Sequence, residues 1–132
     1  MMLRMIVRKV RPSDSSTWEA MRCDLWPDGT DEHATEIAEF FAGSLEEPCE
    51  VLVAEDESGQ LVGVMELSIR DDVAGLLGKR TGYIEGLYVP PKDRWRGIAR
   101  ELVRAARAWA RSNKCEAFAS DRAGRVVIDN RF

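Results

Sequence analysis

Histidine is nearly missing from this sequence: 132 residues carry one, His33. No Ser/His/Asp or Cys/His arrangement is apparent, so covalent catalysis through an imidazole-activated nucleophile has no support. His33 itself lies in a helical stretch and is expected at the surface of that helix rather than at a catalytic centre. Cysteine is scarce too. Cys23, Cys49 and Cys115 are scattered, odd in number and never spaced as CxxC, which argues against both a disulfide framework and a zinc site. With 5 Pro and 10 Gly the chain is neither collagen-like nor low-complexity. No apolar run reaches the roughly 18 residues that a bilayer span needs. The opening MMLRMIVRKVRPSD interleaves charged and apolar residues and lacks a small-residue cleavage site, so it does not read as a signal peptide. The expectation is a soluble, cytoplasmic protein with no metal and no membrane contact.

Positive charge is absent from one long stretch. Between Arg22 and Arg70 there is no Lys or Arg, while Asp24, Asp28, Asp31, Glu32, Glu36, Glu39, Glu46, Glu47, Glu50, Glu55, Asp56, Glu57 and Glu66 all fall there. A later segment reverses the sign with Lys92, Arg94, Arg96, Arg100, Arg104, Arg107, Arg111 and Lys114. The formal net charge of -4 conceals this division. Two separated fields suit two ligands, one cationic and one anionic, although solvated helix faces would also account for each half. Nucleic acid is disfavoured as a partner, because a chain with a pI near 5.1 presents a large repelling surface.

What is present suffices for one folded domain over residues 1–132: 45% of the chain is hydrophobic and 32% charged. Leu3 to Val10 reads as a strand, broken by Pro12-Ser13-Asp14. Ser16 and Glu19 form a plausible capping box for a helix to about Leu25, with Trp18, Met21 and Leu25 at helical spacing. Trp26-Pro27-Asp28-Gly29 reads as a stop and a loop. A second helix is expected over Asp31 to Leu45, with Ile37, Phe40 and Phe41 inward. Val51–Glu55 and Leu61–Ile69 form a hairpin, then a loop runs to Gly82. Tyr83–Val89 is the next strand. From Gly97 to Ser112 comes the clearest helix, with Ile98, Leu102, Ala105, Ala106 and Trp109 on one face and arginines on the other. Cys115–Ala119 and Arg125–Ile128 close the list. The order indicates a mixed α/β sheet covered by helices.

The informative stretch is Tyr88-Val-Pro-Pro-Lys-Asp-Arg-Trp-Arg-Gly-Ile-Ala99, which runs from a strand into that helix. Unpaired N–H groups and the positive end of the helix converge at its start. Gly97 permits close backbone approach and arginines surround it, which makes a cradle for a pyrophosphate. Neither GK[ST] nor GxGxxG is present.

Here the chain resembles the GNAT superfamily of acetyl-CoA-dependent N-acetyltransferases, whose signature is [QR]-x-x-G-x-[GA]; Arg94, Gly97 and Ala99 occupy its defined positions. Leu25-Trp26-Pro27, Ile84-Glu85-Gly86 and Ala119-Ser120-Asp121 narrow the resemblance to aminoglycoside 6'-N-acetyltransferases. The resemblance implies a splayed, GNAT-like mixed sheet flanked by helices, and acetyl-CoA as cosubstrate without a metal. By the same resemblance, the backbone of Leu87, Tyr88 and Val89 binds the pantetheine arm. Arg94 with Trp95, Arg96, Gly97, Ile98, Ala99 and Arg100 holds the pyrophosphate. Glu85 stands near the acceptor amine as its proton acceptor, and Trp26, Glu85 and Asp121 line the sugar site. The residues alone leave other readings open: Glu85 facing solvent, Trp26 in the core or ending a helix, Asp121 forming a turn, and Tyr88 facing either core or cofactor.

Departures from the family pattern matter as much. After Asp121 the family continues through a polar loop, a helix and a strand with a Gly-Phe turn; here Arg122 to Phe132 follows, so the usual final helix and strand are expected to be lacking. No general acid is named, since neither Tyr83 nor Tyr88 stands where the family's tyrosine does. Val73 stands where an aromatic is expected. A missing strand exposes a sheet edge, which suggests a homodimer in which Val126–Ile128 or a neighbour's segment fills the gap. The lead expectation is acetyl transfer to the 6'-amine of a polycationic aminoglycoside. Acetylation of another small amine or polyamine, and a CoA-binding or dimerising protein with little turnover, stand as alternatives.

Overall fold

The computed structural model describes residues 4–132. The chain runs β1 (Met5–Lys9), α1 (Ser15–Leu25), α2 (Thr30–Ala42), β2 (Glu50–Asp56), β3 (Leu61–Arg70), β4 (Thr81–Tyr88), α3 (Ile98–Ser112), β5 (Ala117–Arg122) and β6 (Arg125–Ile128). These strands form one six-stranded sheet in sequence order. Every neighbouring pair is antiparallel except β4 and β5, which α3 joins as a parallel pair. The mixed α/β architecture expected from the sequence is therefore what forms. Leu3, expected at the start of the first strand, lies outside the described residues.

Two apolar layers hold the helices to the sheet. On one face, Ile98, Leu102, Ala106 and Ala110 of α3 recur every four residues and pack on Leu52, Met65, Leu67, Ile84 and Phe118. On the other, Trp18, Met21 and Ile37 of α1 and α2 pack on Val51, Val53 and Val64. Trp18 sits edge-on to both Phe40 and Phe41, which fixes the two helices against each other. The loop after β3 also folds inward. Val73 and Leu76 are buried against Tyr83, Ala117 and Ala119, so Val73 is a packing residue, not a free surface position.

Several local expectations need correction. The first helix has no Ser16/Glu19 capping box. It is headed by Asp14, whose carboxylate accepts from the Arg8 guanidinium at 2.8 and 3.1 Å and from the Arg11 N–H at 2.7 Å. That pairing with Arg8 holds the Asp14 carboxyl below its ordinary range. Between α1 and α2 there is no loop, only a 3-10 turn over Pro27–Gly29. The second helix stops at Ala42 instead of Leu45, because Gly43 takes a left-handed φ of 76° and its N–H turns back to the last carbonyls. Among the described residues no helix is long and apolar enough to cross a membrane.

Candidate active site

The site is made where β4 leaves its neighbours. Against β3, Gly86 pairs with Glu66 and Ile84 with Leu67, so Glu85 has no partner: it is the extra residue of a β-bulge. The bulge reverses which residues face which layer. Before it, Ile84 packs with the α3 layer; after it, Leu87 does so and Tyr88 turns to the α1–α2 layer. On the other side, β4 pairs with β5 only from Thr81 to Ile84. Beyond Ile84 the two strands part, which leaves the Leu87–Val89 edge of β4 unpaired toward β5. This is the splay that the sequence reading expected.

An open cleft of about 790 Å³ begins at that edge and is lined by Leu87, Tyr88, Val89 and residues 93–100. Its floor is the start of α3. Gly97 caps the helix with φ 85° and offers no side chain to its first turn. The first bond into the helix runs from the Glu101 N–H to the Gly97 carbonyl, so the N–H groups of Ile98, Ala99 and Arg100 have no partner within it. A Cβ at Gly97 would meet nothing within 4 Å; the requirement for glycine is conformational.

Not every residue expected to line this cleft has the same standing. Arg94 is tied back by donating from Nε to the Val89 carbonyl at 2.8 Å, and its guanidinium lies 5.8 Å from the Tyr88 ring centroid. Trp95 is fully exposed and, unusually for a non-glycine residue, has φ 67°. Asp93, which the sequence reading did not single out, is buried behind the cradle with one carboxylate oxygen unpartnered. Tyr88 is placed with its ring toward the core and its hydroxyl at the cleft wall. Its ring packs on the α1–α2 layer, while its hydroxyl reaches Asp24 at 3.1 Å at the cleft wall. Burial, followed by that carboxylate, raises the Tyr88 pKa above the ordinary phenol value.

A second cleft, about 520 Å³, adjoins the first through Leu25 and Leu87, which line both. It gathers Trp26, Glu85 and Asp121, the residues expected on the acceptor side, together with Gly86. Glu85 is half-buried and receives two bonds from Arg70, at 2.7 and 2.9 Å. Those hydrogen bonds raise the Arg70 pKa above the guanidinium norm, and Arg70 also stacks 5.0 Å from the Tyr83 centroid. Gly86 is needed for space here. A Cβ on it would stand 2.5 Å from the Trp26 indole, so the missing side chain lets that ring lie directly on the strand.

The sequence reading missed what supports this wall. Arg22 is buried and donates to both oxygens of buried Glu66, at 2.7 and 3.0 Å, and to Glu36 at 3.1 Å. The Trp18 indole N–H gives a further bond to Glu66 at 2.9 Å. Burial works against the Arg22 charge, yet bonding to Glu66 and Glu36 keeps its pKa raised. His33 is not a surface residue: it is 3% exposed, contacts Arg22 at 3.2 Å and reaches the Trp26 carbonyl at 3.0 Å. Arg22 was visible as the last cation before the acidic stretch, but nothing local marks it as buried.

A sheet that parts beside a bulged carboxylate, with an anion-ready helix start across the gap, sets a place for an anionic group beside one for a cationic group. Residues 16–126 match the model of the Acetyltransferase (GNAT) family, and the chain belongs to that family. It is 45% identical over 117 residues to an aminoglycoside N(6')-acetyltransferase type 1 of Klebsiella aerogenes, covering 88% of this chain and 77% of that one. Among solved structures it is similar to AAC(6')-Iy in complex with the bisubstrate analogue CoA-S-monomethyl-acetylneamine. The TM-score there is 0.80 at 28% identity, over 91% of this chain and 80% of that one. The 6'-N-acetyltransferase AAC(6')-Ih from Acinetobacter baumannii aligns with TM-score 0.78 and 33% identity, over 96% and 82% of the two chains.

Proposed function

We propose that this protein transfers the acetyl group of acetyl-CoA to the 6'-amine of aminoglycosides, and so belongs among the resistance enzymes. The observation that carries this reading is the junction of the two clefts. An anion cradle lies on one side of Leu25 and Leu87, and a carboxylate-lined pocket lies on the other. The cradle suits a CoA pyrophosphate on its own chemistry: free N–H groups at Ile98 to Arg100, no Cβ at Gly97, and Arg96 and Arg100 at the rim. The unpaired Leu87–Val89 edge offers backbone groups to the pantetheine arm. The Val89 carbonyl is already engaged by Arg94, which makes Arg94 a brace for the cradle.

Acetyl-CoA supplies an activated thioester: its carbonyl carbon gains the new bond to nitrogen as the bond to sulfur breaks, and CoA departs as the thiol, its sulfur taking the second proton that the attacking nitrogen gives up. An aminoglycoside amine arrives protonated and has no lone pair to offer. Glu85 takes that proton, directly or through a water. Arg70 fixes its carboxylate in place with two bonds, so it is oriented before the substrate arrives. Trp26 gives a flat wall for a sugar ring, and Asp121 gives a second carboxylate. The acidic stretch from Asp24 to Glu66 draws a polycation toward this side. A homodimer through the β6 edge, where Val126 and Val127 are each 40% exposed, and residence in the cytoplasm complete the proposal.

The test is release of free CoA from acetyl-CoA with a panel of aminoglycosides that carry or lack a 6'-amine. Release that depends on the 6'-amine is the expected result. Glu85→Gln should then lower kcat/KM by about 100-fold at neutral pH with little change in KM for acetyl-CoA. Release with other amines only would replace the substrate and keep the chemistry. CoA-dependent thermal protection without any release would point instead to a binding protein.

A further inference from the structure

The buried cluster behind the acceptor cleft contains a group to which the proposed chemistry gives no role: His33. A guanidinium only donates hydrogen bonds. The 3.2 Å contact from Arg22 Nη1 therefore makes His33 Nδ1 an acceptor, and the ring hydrogen must sit on Nε2, which donates to the Trp26 carbonyl at 3.0 Å. Arg22 is itself immobile, gripped on two oxygens by Glu66 of β3 and on a third by Glu36 of α2. A continuous line thus runs from the sheet through Glu66, Arg22 and His33 to the backbone of Trp26.

From these contacts we infer that His33 is a positioning residue for the acceptor cleft: it fixes the Trp26 backbone so that the indole stays seated on Gly86 beside Glu85. Trp26 sits at the end of α1 with φ -131° and ψ 75°, outside helical geometry, and Pro27 follows it. The corner has little regular bonding of its own: the Trp26 N–H reaches Arg22 and the Gly29 N–H reaches the Trp26 carbonyl at 3.2 Å. His33 shares that carbonyl from the next helix and lies close under Gly29, where an added Cβ would meet its ring at 3.3 Å. Arg22 secures the ring as well, lying 5.4 Å from the Trp26 ring centroid. One histidine therefore ties the substrate-facing wall to both helices and, through Arg22, to the sheet.

This inference rests on the acceptor reading of that cleft, and the experiment separates the two. His33→Asn keeps an acceptor for Arg22 but is too short to reach Trp26; His33→Gln carries an acceptor and a donor side by side and can reach both. The two measurements are steady-state kinetics with an aminoglycoside bearing a 6'-amine, and the indole N–H resonance of Trp26, identified by its loss in Trp26→Phe. His33→Asn should displace that resonance while those of Trp95 and Trp109 stay in place. It should also raise KM for the aminoglycoside about tenfold, as expected for one lost hydrogen bond, and hold kcat and KM for acetyl-CoA within about twofold. His33→Gln should restore both readouts. An unmoved Trp26 resonance, or a displaced one with an unchanged aminoglycoside KM, overturns the inference. Should the wild-type protein not acetylate the 6'-amine, the functional proposal fails on its own, and the resonance decides for or against the tie.

Discussion

The two halves of the site are built by opposite means. The side proposed for the cofactor is made mainly of backbone, with arginines at its rim: a glycine with positive φ, three unengaged N–H groups and a free strand edge, all within residues 87–100. The side proposed for the acceptor is made of side chains from α1, the Trp26 corner, β4, α3 and β5, and behind it lie charges buried between α1, α2 and β3. Arg22 and Glu66, 44 residues apart in sequence, hold it from behind, and Arg70 holds Glu85 in front. Backbone recognition fits a group that is the same in every turnover. Side-chain recognition can change with the substrate without altering the helix to which we assign the cofactor.

Removing charge from the buried pair should break this contrast most severely. Arg22→Met strands Glu66 in the core and should destabilise the fold by about 3 to 5 kcal/mol, measured by urea unfolding. Adding Glu66→Gln should recover part of that loss, since the amide still accepts from Trp18 without a buried charge. A smaller effect confined to the other half is expected from Gly97→Ala. The methyl has room, so the cost is the left-handed backbone, about 1 to 2 kcal/mol. KM for acetyl-CoA should rise while KM for the aminoglycoside stays level; equal changes in both would mean that the halves are not separable.

A prediction of similar size, away from both halves, concerns the corner that launches α1. Asp14 is held below the ordinary carboxyl range, first by its bond from Arg8. A depressed native pKa adds stability that is complete above the unfolded value and is lost as pH falls through the native one. Wild-type stability should therefore fall below about pH 4 more steeply than that of Asp14→Asn. At neutral pH the variant should be about 1 to 2 kcal/mol less stable, as thermal unfolding across a pH series would measure.

The same contrast explains which parts were legible in the sequence. Gly97 and Ala99 stand at a helix start, so the left-handed cap and the free N–H groups there were legible from local residues. The amphipathic stripe of α3 and the hairpin of β2 and β3 were equally local. Glu85 and Trp26 could be named but not placed, because the bulge between Ile84 and Gly86 is a relation between two strands and leaves no local mark. His33 was misplaced for a related reason. A histidine flanked by Glu32 and Ala34 on an acidic helix reads as exposed until Arg22 arrives from another helix to bury it. The end of α2 was missed by three residues even though Gly43 stood in view.

The bulge at Glu85 also constrains how this chain can change length over time. Residues 71–80 join two strands by a loop, and insertions or deletions there leave the alternation of both strands intact. Within β4 the arithmetic differs. Losing Glu85 would restore an unbroken ladder with β3 and leave Leu87 opposite Met65 and Tyr88 opposite Val64, each in its present layer, but it would remove the extra residue that carries the carboxylate. The β3–β4 ladder would then be regular, and Arg70 would have lost its Glu85 partner at the cleft. In this segment, substitutions can accumulate but gaps cannot, and a lineage of such chains should show variation in residue identity with a fixed count from Thr81 to Gly97.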